Sequence, residues 1–337
     1  MIGVDLAART MGGSVVAASD ESFGFKERLI DPAEPLFVPG TYDLRGEVVD
    51  GWETRRHAGK SGDWVVIRLG VPGRLHAVDI DTRFFSGNQP TACGIDGCVL
   101  DLLDDPTAPT VAWTPLVEMT PLEPDSQNLM AVHSHRRWTH LRLRLASDGG
   151  VARVRAYGDV IPDPAAWDDI TVEVSGLEQG GRVEWCSDSF YSHACALIAP
   201  DRPRDMGDGW ETRRRRDIGP DTHDAVIVSF AVPADLRRIE IDTSYFVFNA
   251  STAVSVLGSR SRPDREHGWA LVPFDVPVLP KRRLSADARQ IFAVDVPNIA
   301  ALRVQAYPDG GMARVRAFGT PTEEGVIRLR RQWGESA

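Results

Sequence analysis

The chain has 337 residues, 42% hydrophobic and 26% charged, with a formal net charge of −10. That balance describes an ordinary globular protein large enough for two cored domains, and it excludes nonspecific binding to nucleic acid or to an anionic membrane surface. No apolar run approaches the roughly 18–20 residues of a membrane helix, and Met1–Thr10 lacks a basic-then-apolar export pattern, so a cytoplasmic protein is expected.

In chain order, the same words appear twice. Gly12-Gly13-Ser14-Val15-Val16 precedes Ser19-Asp20, and Gly180-Gly181-Arg182-Val183-Glu184 precedes Ser187-Asp188. Asp50-Gly51-Trp52-Glu53-Thr54-Arg55-Arg56 recurs without a change as Asp208-Gly209-Trp210-Glu211-Thr212-Arg213-Arg214. Each heptapeptide opens on an Asp-Gly turn and supplies one large ring, one Glu and two guanidiniums. Further on, Asp81 matches Asp242, Asn88 matches Asn249, and Ala152 to Gly158 matches Ala313 to Gly319. A repeat of this kind dictates the architecture: a first copy over 1–160 and a second over 170–325.

Within each copy the hydrophobic period is two. Leu141-Arg142-Leu143-Arg144-Leu145 alternates apolar and polar, as does Val226 to Phe230 more loosely. This pattern marks strands with one buried face. Turn signals such as Pro72-Gly73 and Asp148-Gly149-Gly150 separate them, and amphipathic helices are scarce. The expectation is an all-β chain of two tandem jelly-roll sandwiches from an internal duplication. The Pro-rich segments Leu102 to Asn128 and Arg260 to Arg283 read as long loops with one edge strand each. Val160 to Asp169 reads as the linker, with Trp167 docked between the domains. Cys93, Cys98, Cys186 and Cys195 read as reduced, mostly buried thiols. His133, His135 and His140 form a basic stretch in which the His-x-His pair is weak evidence for a metal, so no metal is assigned and the cofactor is left unknown. The run Arg213 to Arg216 in an acidic chain reads as solvated loop charge or an intersubunit patch.

Together these motifs resemble the allantoicase (allantoate amidinohydrolase) family. In the first copy the resemblance lies in Asp50 to His57 with Asp63-Trp64, Ile80-Asp81-Thr82, Phe85 with Gly87-Asn88, and Asp148 to Arg153. In the second it lies in Met206 to Arg214, Asp242-Thr243, and Pro308 to Arg316. It implies two jelly-roll domains of the galactose-binding (discoidin-like) type and hydrolysis of allantoate to ureidoglycolate and urea in purine breakdown. The second copy departs from the pattern: Asp224-Ala225 stands where the first has Asp63-Trp64, Phe248 precedes Asn249 where Gly87 precedes Asn88, and Arg215 stands where the first has His57. The first copy is therefore expected to carry most of the site.

Such a substrate needs a planar donor for its carboxylate, polar partners for its ureido groups and a proton carrier for the departing urea. Glu53, His57 and Asp81 are the candidate catalytic residues. Asp50, Arg55, Arg56, Asn88, His133, Arg213 and Asp242 are the candidate substrate contacts. Because strand neighbours face opposite ways, at most one of Arg55 and Arg56 is expected to face the cleft. Two further readings stay open: a noncatalytic tandem jelly-roll binding protein, and a hydrolase of a neighbouring ureide such as ureidoglycolate. Self-association into a homo-oligomer is expected of paired flat sandwiches.

Overall fold

The computed structural model describes residues 3–56, 62–167, 170–216, 219–262 and 268–335. The chain divides into two compact units, with the boundary between Ile161 and Pro162.

The first unit is organised around one long strand, Trp64–Asp81. Its first half pairs with Ser14–Ala18 on one side and Trp138–Leu145 on the other. Its second half pairs with Arg153–Val160 and Gln127–Ala131. The turn signal Pro72-Gly73 thus marks a bend within a strand that crosses from one layer of the sandwich to the other, as strands do at sandwich corners. Ala92–Cys98 and Thr114–Pro121 extend the sheet beyond Trp138–Leu145. The second unit repeats the plan around Asp224–Asp242, which pairs with Arg289–Tyr307, Arg314–Pro321 and Arg182–Cys186. The Pro-rich segments each contribute an edge strand, Thr114–Pro121 and Val276–Arg283.

Alternation along these strands sends Val65, Ile67, Leu69, Leu141, Leu143 and Leu145 into one core. Val226, Val228, Phe230, Leu302, Val304 and Ala306 form its counterpart. Two features depart from expectation. Trp167 is buried against Val232 and Leu329 and donates its Nε1–H to Gln179 at 2.7 Å, so it is a core residue of the second unit. Leu329 belongs to an amphipathic helix, Glu323–Glu335, which the sequence reading did not foresee.

Candidate active site

Each heptapeptide forms a two-residue strand. Trp52–Glu53 pairs with Gly150–Val151, and Trp210–Glu211 pairs with Gly311–Met312. Both Trp rings are fully buried, and each Nε1–H donates 2.7 Å to a main-chain carbonyl, of Asp20 and of Asp188. With Trp facing inward, the pleat turns Glu53 and Glu211 the other way. Gly150 lies under the Phe85 ring, where a Cβ would come within 1.9 Å of ring carbon; Gly311 lies likewise under Phe246. That close approach brings the 82–90 loop onto the hairpin, where Gly150 N–H donates to the Asn88 carbonyl at 2.8 Å. Asn88 can then donate its side-chain amide to Glu53 Oε1 at 2.9 Å.

Burial pushes the Glu53 carboxyl above the ordinary Glu range, opposed by the Asn88 amide and the nearby Arg56 guanidinium. Arg56 is exposed and, among the described residues, makes no hydrogen bond or ion pair. Arg55 is differently placed. Its Nε–H donates to Asp20 Oδ2 and its backbone N–H to Asp20 Oδ1, each at 2.8 Å. Burial alone would raise Asp20, but hydrogen bonds from Ser22 and Arg55 outweigh it and hold the carboxyl at about 2. Ser19, its chain neighbour, donates to Asp63 Oδ1 at 2.8 Å. Asp63 and Trp64 line a hollow of about 410 Å³ with Arg142 and Arg144, both paired with buried Asp96.

The second repeat keeps the core of this arrangement. Asn249 donates to Glu211 Oε1 at 2.7 Å, and Arg213 lies 3.4 Å from Asp188 and 4.2 Å from the Phe190 ring centre. Here the guanidiniums that follow are engaged. Arg214 donates to the Phe248 carbonyl at 3.1 Å and reaches Asp309 at 3.5 Å. Arg215 pairs with Asp224 at 2.7 Å.

Of the other candidates, Asp50 and Asp81 have partners of their own. Asp50 is held by the buried Arg153 guanidinium at 2.7 Å, which, against the cost of burial, keeps its carboxyl below the usual range. Asp81 is buried and receives Arg83 Nε–H at 2.9 Å. Among the described residues, no hydrogen bond or ion pair links Asp50 or Asp81 to Glu53. Asp242 sits in a polar cavity of the second repeat with Arg289 and Arg314. His57 lies outside the described residues. His133 is placed by the register: Gln127–Ala131 runs antiparallel to Asp81–Ala77, and Val132 N–H donates to the His76 carbonyl. His133 is thereby carried to the far end of that ladder from Asp81. His140 is buried, with its ring pushed down to about 4 by burial and by Arg68. Among the described residues, no three His, Cys, Asp or Glu side chains gather as metal ligands. The Cys93 and Cys98 thiols are pushed up to about 12 by burial.

Two residues were missed as partners, Asp20 and Arg153. Both lie in the repeated words, since Ser19-Asp20 recurs as Ser187-Asp188 and Ala-Arg-Val-Arg-Ala recurs around Arg314. Recurrence was the signal that could have found them.

A half-buried carboxyl of raised affinity for protons, steadied by an amide, can exchange a proton with a ligand, and a guanidinium beside it with no hydrogen bond or ion pair among the described residues can bind a small carboxylate. The family model described as the allantoicase repeat matches residues 4–161 and 172–322. A probable allantoicase of Nocardia farcinica is 44% identical over 94% of this chain and 93% of its own length. One from Streptomyces coelicolor is 41% identical over 96% and 87%. The crystal structure of allantoicase from Saccharomyces cerevisiae superposes with a TM-score of 0.74 at 28% identity, covering 94% of this chain and 92% of that one. The chain belongs to the allantoicase family, whose repeat it carries twice.

Proposed function

We infer that the chain hydrolyses allantoate to ureidoglycolate and urea, with the first-repeat Glu53 as the proton carrier. The reaction breaks one bond between the central carbon and a ureido nitrogen. It places a water oxygen on that carbon and a proton on the departing nitrogen. In this reading Glu53 gives the proton to the leaving nitrogen and recovers one from the incoming water, while Asn88 fixes its orientation. Arg56 takes the substrate carboxylate, and Arg55 is pinned by Asp20 as part of the frame. The observation that carries the reading is the Asn88–Glu53 bond beside the Arg56 guanidinium, which makes no hydrogen bond or ion pair among the described residues.

The test follows urea release from allantoate by the purified chain. Urea above background is expected, with a higher kcat/KM on allantoate than on ureidoglycolate. No urea, with or without added divalent cation, would remove the activity.

Two coarser findings frame this reading. No helix among the described residues is long and apolar enough to cross a membrane. The four cysteines are free thiols, which supports a reducing compartment such as the cytoplasm. We also propose self-association, supported by Leu103 and Phe248, each 95% exposed. Analytical ultracentrifugation reads it directly, and a monomer at micromolar concentration would exclude it.

A further inference from the structure

The second repeat contains a polar cavity of about 230 Å³ for which the proposed hydrolysis has no use. Its walls carry Glu173, Glu240 and Asp242 against Arg289, Arg314 and Arg316. Most of these charges are already matched. Arg289 pairs with Glu240 at 2.6 Å, Arg316 with Glu173 at 2.7 Å, and Arg314 with Asp201 at 2.9 Å.

Two charges are left over. The buried Asp242 carboxylate accepts one hydrogen bond, from Ser244 N–H at 2.8 Å, and among the described residues no guanidinium pairs with it. Arg202, also on the wall, is exposed and makes no hydrogen bond or ion pair among the described residues.

The first repeat shows what normally occupies this place. The residue after Asp81-Thr82 is Arg83, which grips Asp81 through Nε–H at 2.9 Å and pairs with Glu34 as well. Leu29-Ile30-Asp31-Pro32-Ala33-Glu34-Pro35 corresponds to Leu197-Ile198-Ala199-Pro200-Asp201-Arg202-Pro203. The buried Arg153 and Arg314 donate to the equivalent carbonyls of Ala33 and Asp201, each at 3.0 Å, which confirms the register. In the second repeat, therefore, the plugging Arg has become Ser244 and its acidic partner has become Arg202. The plug is gone, a buried carboxylate faces the space, and the mouth has changed sign.

A buried carboxylate without a cationic partner is unfavourable unless something else supplies donors. We propose that this cavity is a ligand site in its own right for a small carboxylate bearing N–H donors, a ureido acid or an amino acid. The ligand carboxylate meets Arg202, and its N–H groups meet Asp242. The ligand class follows from these two charges and does not depend on the role given to Glu53.

The probe is N-carbamoylglycine, which has one carboxylate and one ureido group, measured by titration calorimetry on the full chain. Wild type is expected to bind it in this cavity. Ser244→Arg with Arg202→Glu restores the first repeat's plug and should abolish that binding, with kcat/KM for allantoate unchanged. Arg202→Glu alone, at an exposed side chain, should weaken the probe roughly 10- to 100-fold, the loss expected for a charge-assisted hydrogen bond. It keeps the test open if the double variant fails to fold. Unchanged probe affinity in Arg202→Glu would overturn the proposal. Loss of allantoate hydrolysis in a folded double variant would overturn it too, since the cavity would then be the reaction's own site. Glu53→Gln separates the two ideas, because it should stop hydrolysis and leave this binding intact.

Discussion

The side-chain amide of Asn88 donates to Glu53 across 35 residues of sequence at 2.9 Å, and Asn249 repeats the bond to Glu211 at 2.7 Å. The pair survived duplication, but its surroundings did not. Beside Glu53 the Arg56 guanidinium makes no hydrogen bond or ion pair among the described residues, whereas beside Glu211 the equivalent Arg214 is spent on Phe248 and Asp309.

The amide bond stabilises the ionised form of Glu53, so its loss should move the group further in the direction burial already pushes it. For Asn88→Ala, the limb of the kcat/KM profile governed by Glu53 is expected to shift to higher pH. A fall of roughly 10-fold in kcat/KM should accompany it. An unmoved pH profile would show that the pair does not control the reaction.

If Arg56 holds the substrate carboxylate, Arg56→Ala should raise KM about 10- to 100-fold, the cost of one charge-assisted contact. Arg214→Ala should change it by less than about 3-fold, because that guanidinium is internally engaged. Steady-state kinetics on allantoate distinguish the two, and equal effects would contradict the asymmetry between repeats.

Asp79 gives a stability prediction of definite sign. Burial first, and the neighbouring Asp81 charge second, raise its carboxyl to about 6, and its Oδ1 has no hydrogen-bond partner among the described residues. A folded pKa above the unfolded one means that the folded state holds the proton more tightly. Stability is therefore full below about pH 4 and is lost as pH rises towards 6. Asp79→Asn removes that loss, and a gain of about 1–2 kcal/mol is expected at pH 8 with little change at pH 4. Denaturant melts at the two pH values measure it.

The packing of Phe85 on Gly150 is a steric claim. Gly150→Ala places a methyl within 1.9 Å of the ring, and Phe85 is fully buried. A loss of about 1–3 kcal/mol is expected. Activity should fall with it, because the same contact seats the loop that carries Asn88. A stable, fully active Gly150→Ala would dismiss the loop-seating argument.

The duplication and the strands were legible because recurrence and period-two alternation are local signals. Trp64–Asp81 was not legible as one strand: Gly70, Pro72 and Gly73 read as a turn, and only the neighbours on both layers show that the ladder continues. Helix Glu323–Glu335 was missed because it lies beyond the repeated words. At the site, the heptapeptide exposed Glu53 and Arg56. It could not reveal that Arg55 belongs to Asp20 or that Asp50 belongs to Arg153, 103 residues away. Nor could it reveal the ion pairs of Asp50 and Asp81, because buried ion pairs use the same residue types as active sites. The position of His133 along its ladder was not legible, because a strand's register cannot be read from one strand alone.

The most direct test compares Glu53→Gln with Glu211→Gln for urea release from allantoate. Glu53→Gln is expected to lower kcat by roughly 10²–10⁴-fold, the contribution of a positioned proton carrier, while Glu211→Gln stays within about 3-fold of wild type. Full urea release by a folded Glu53→Gln chain would contradict the account.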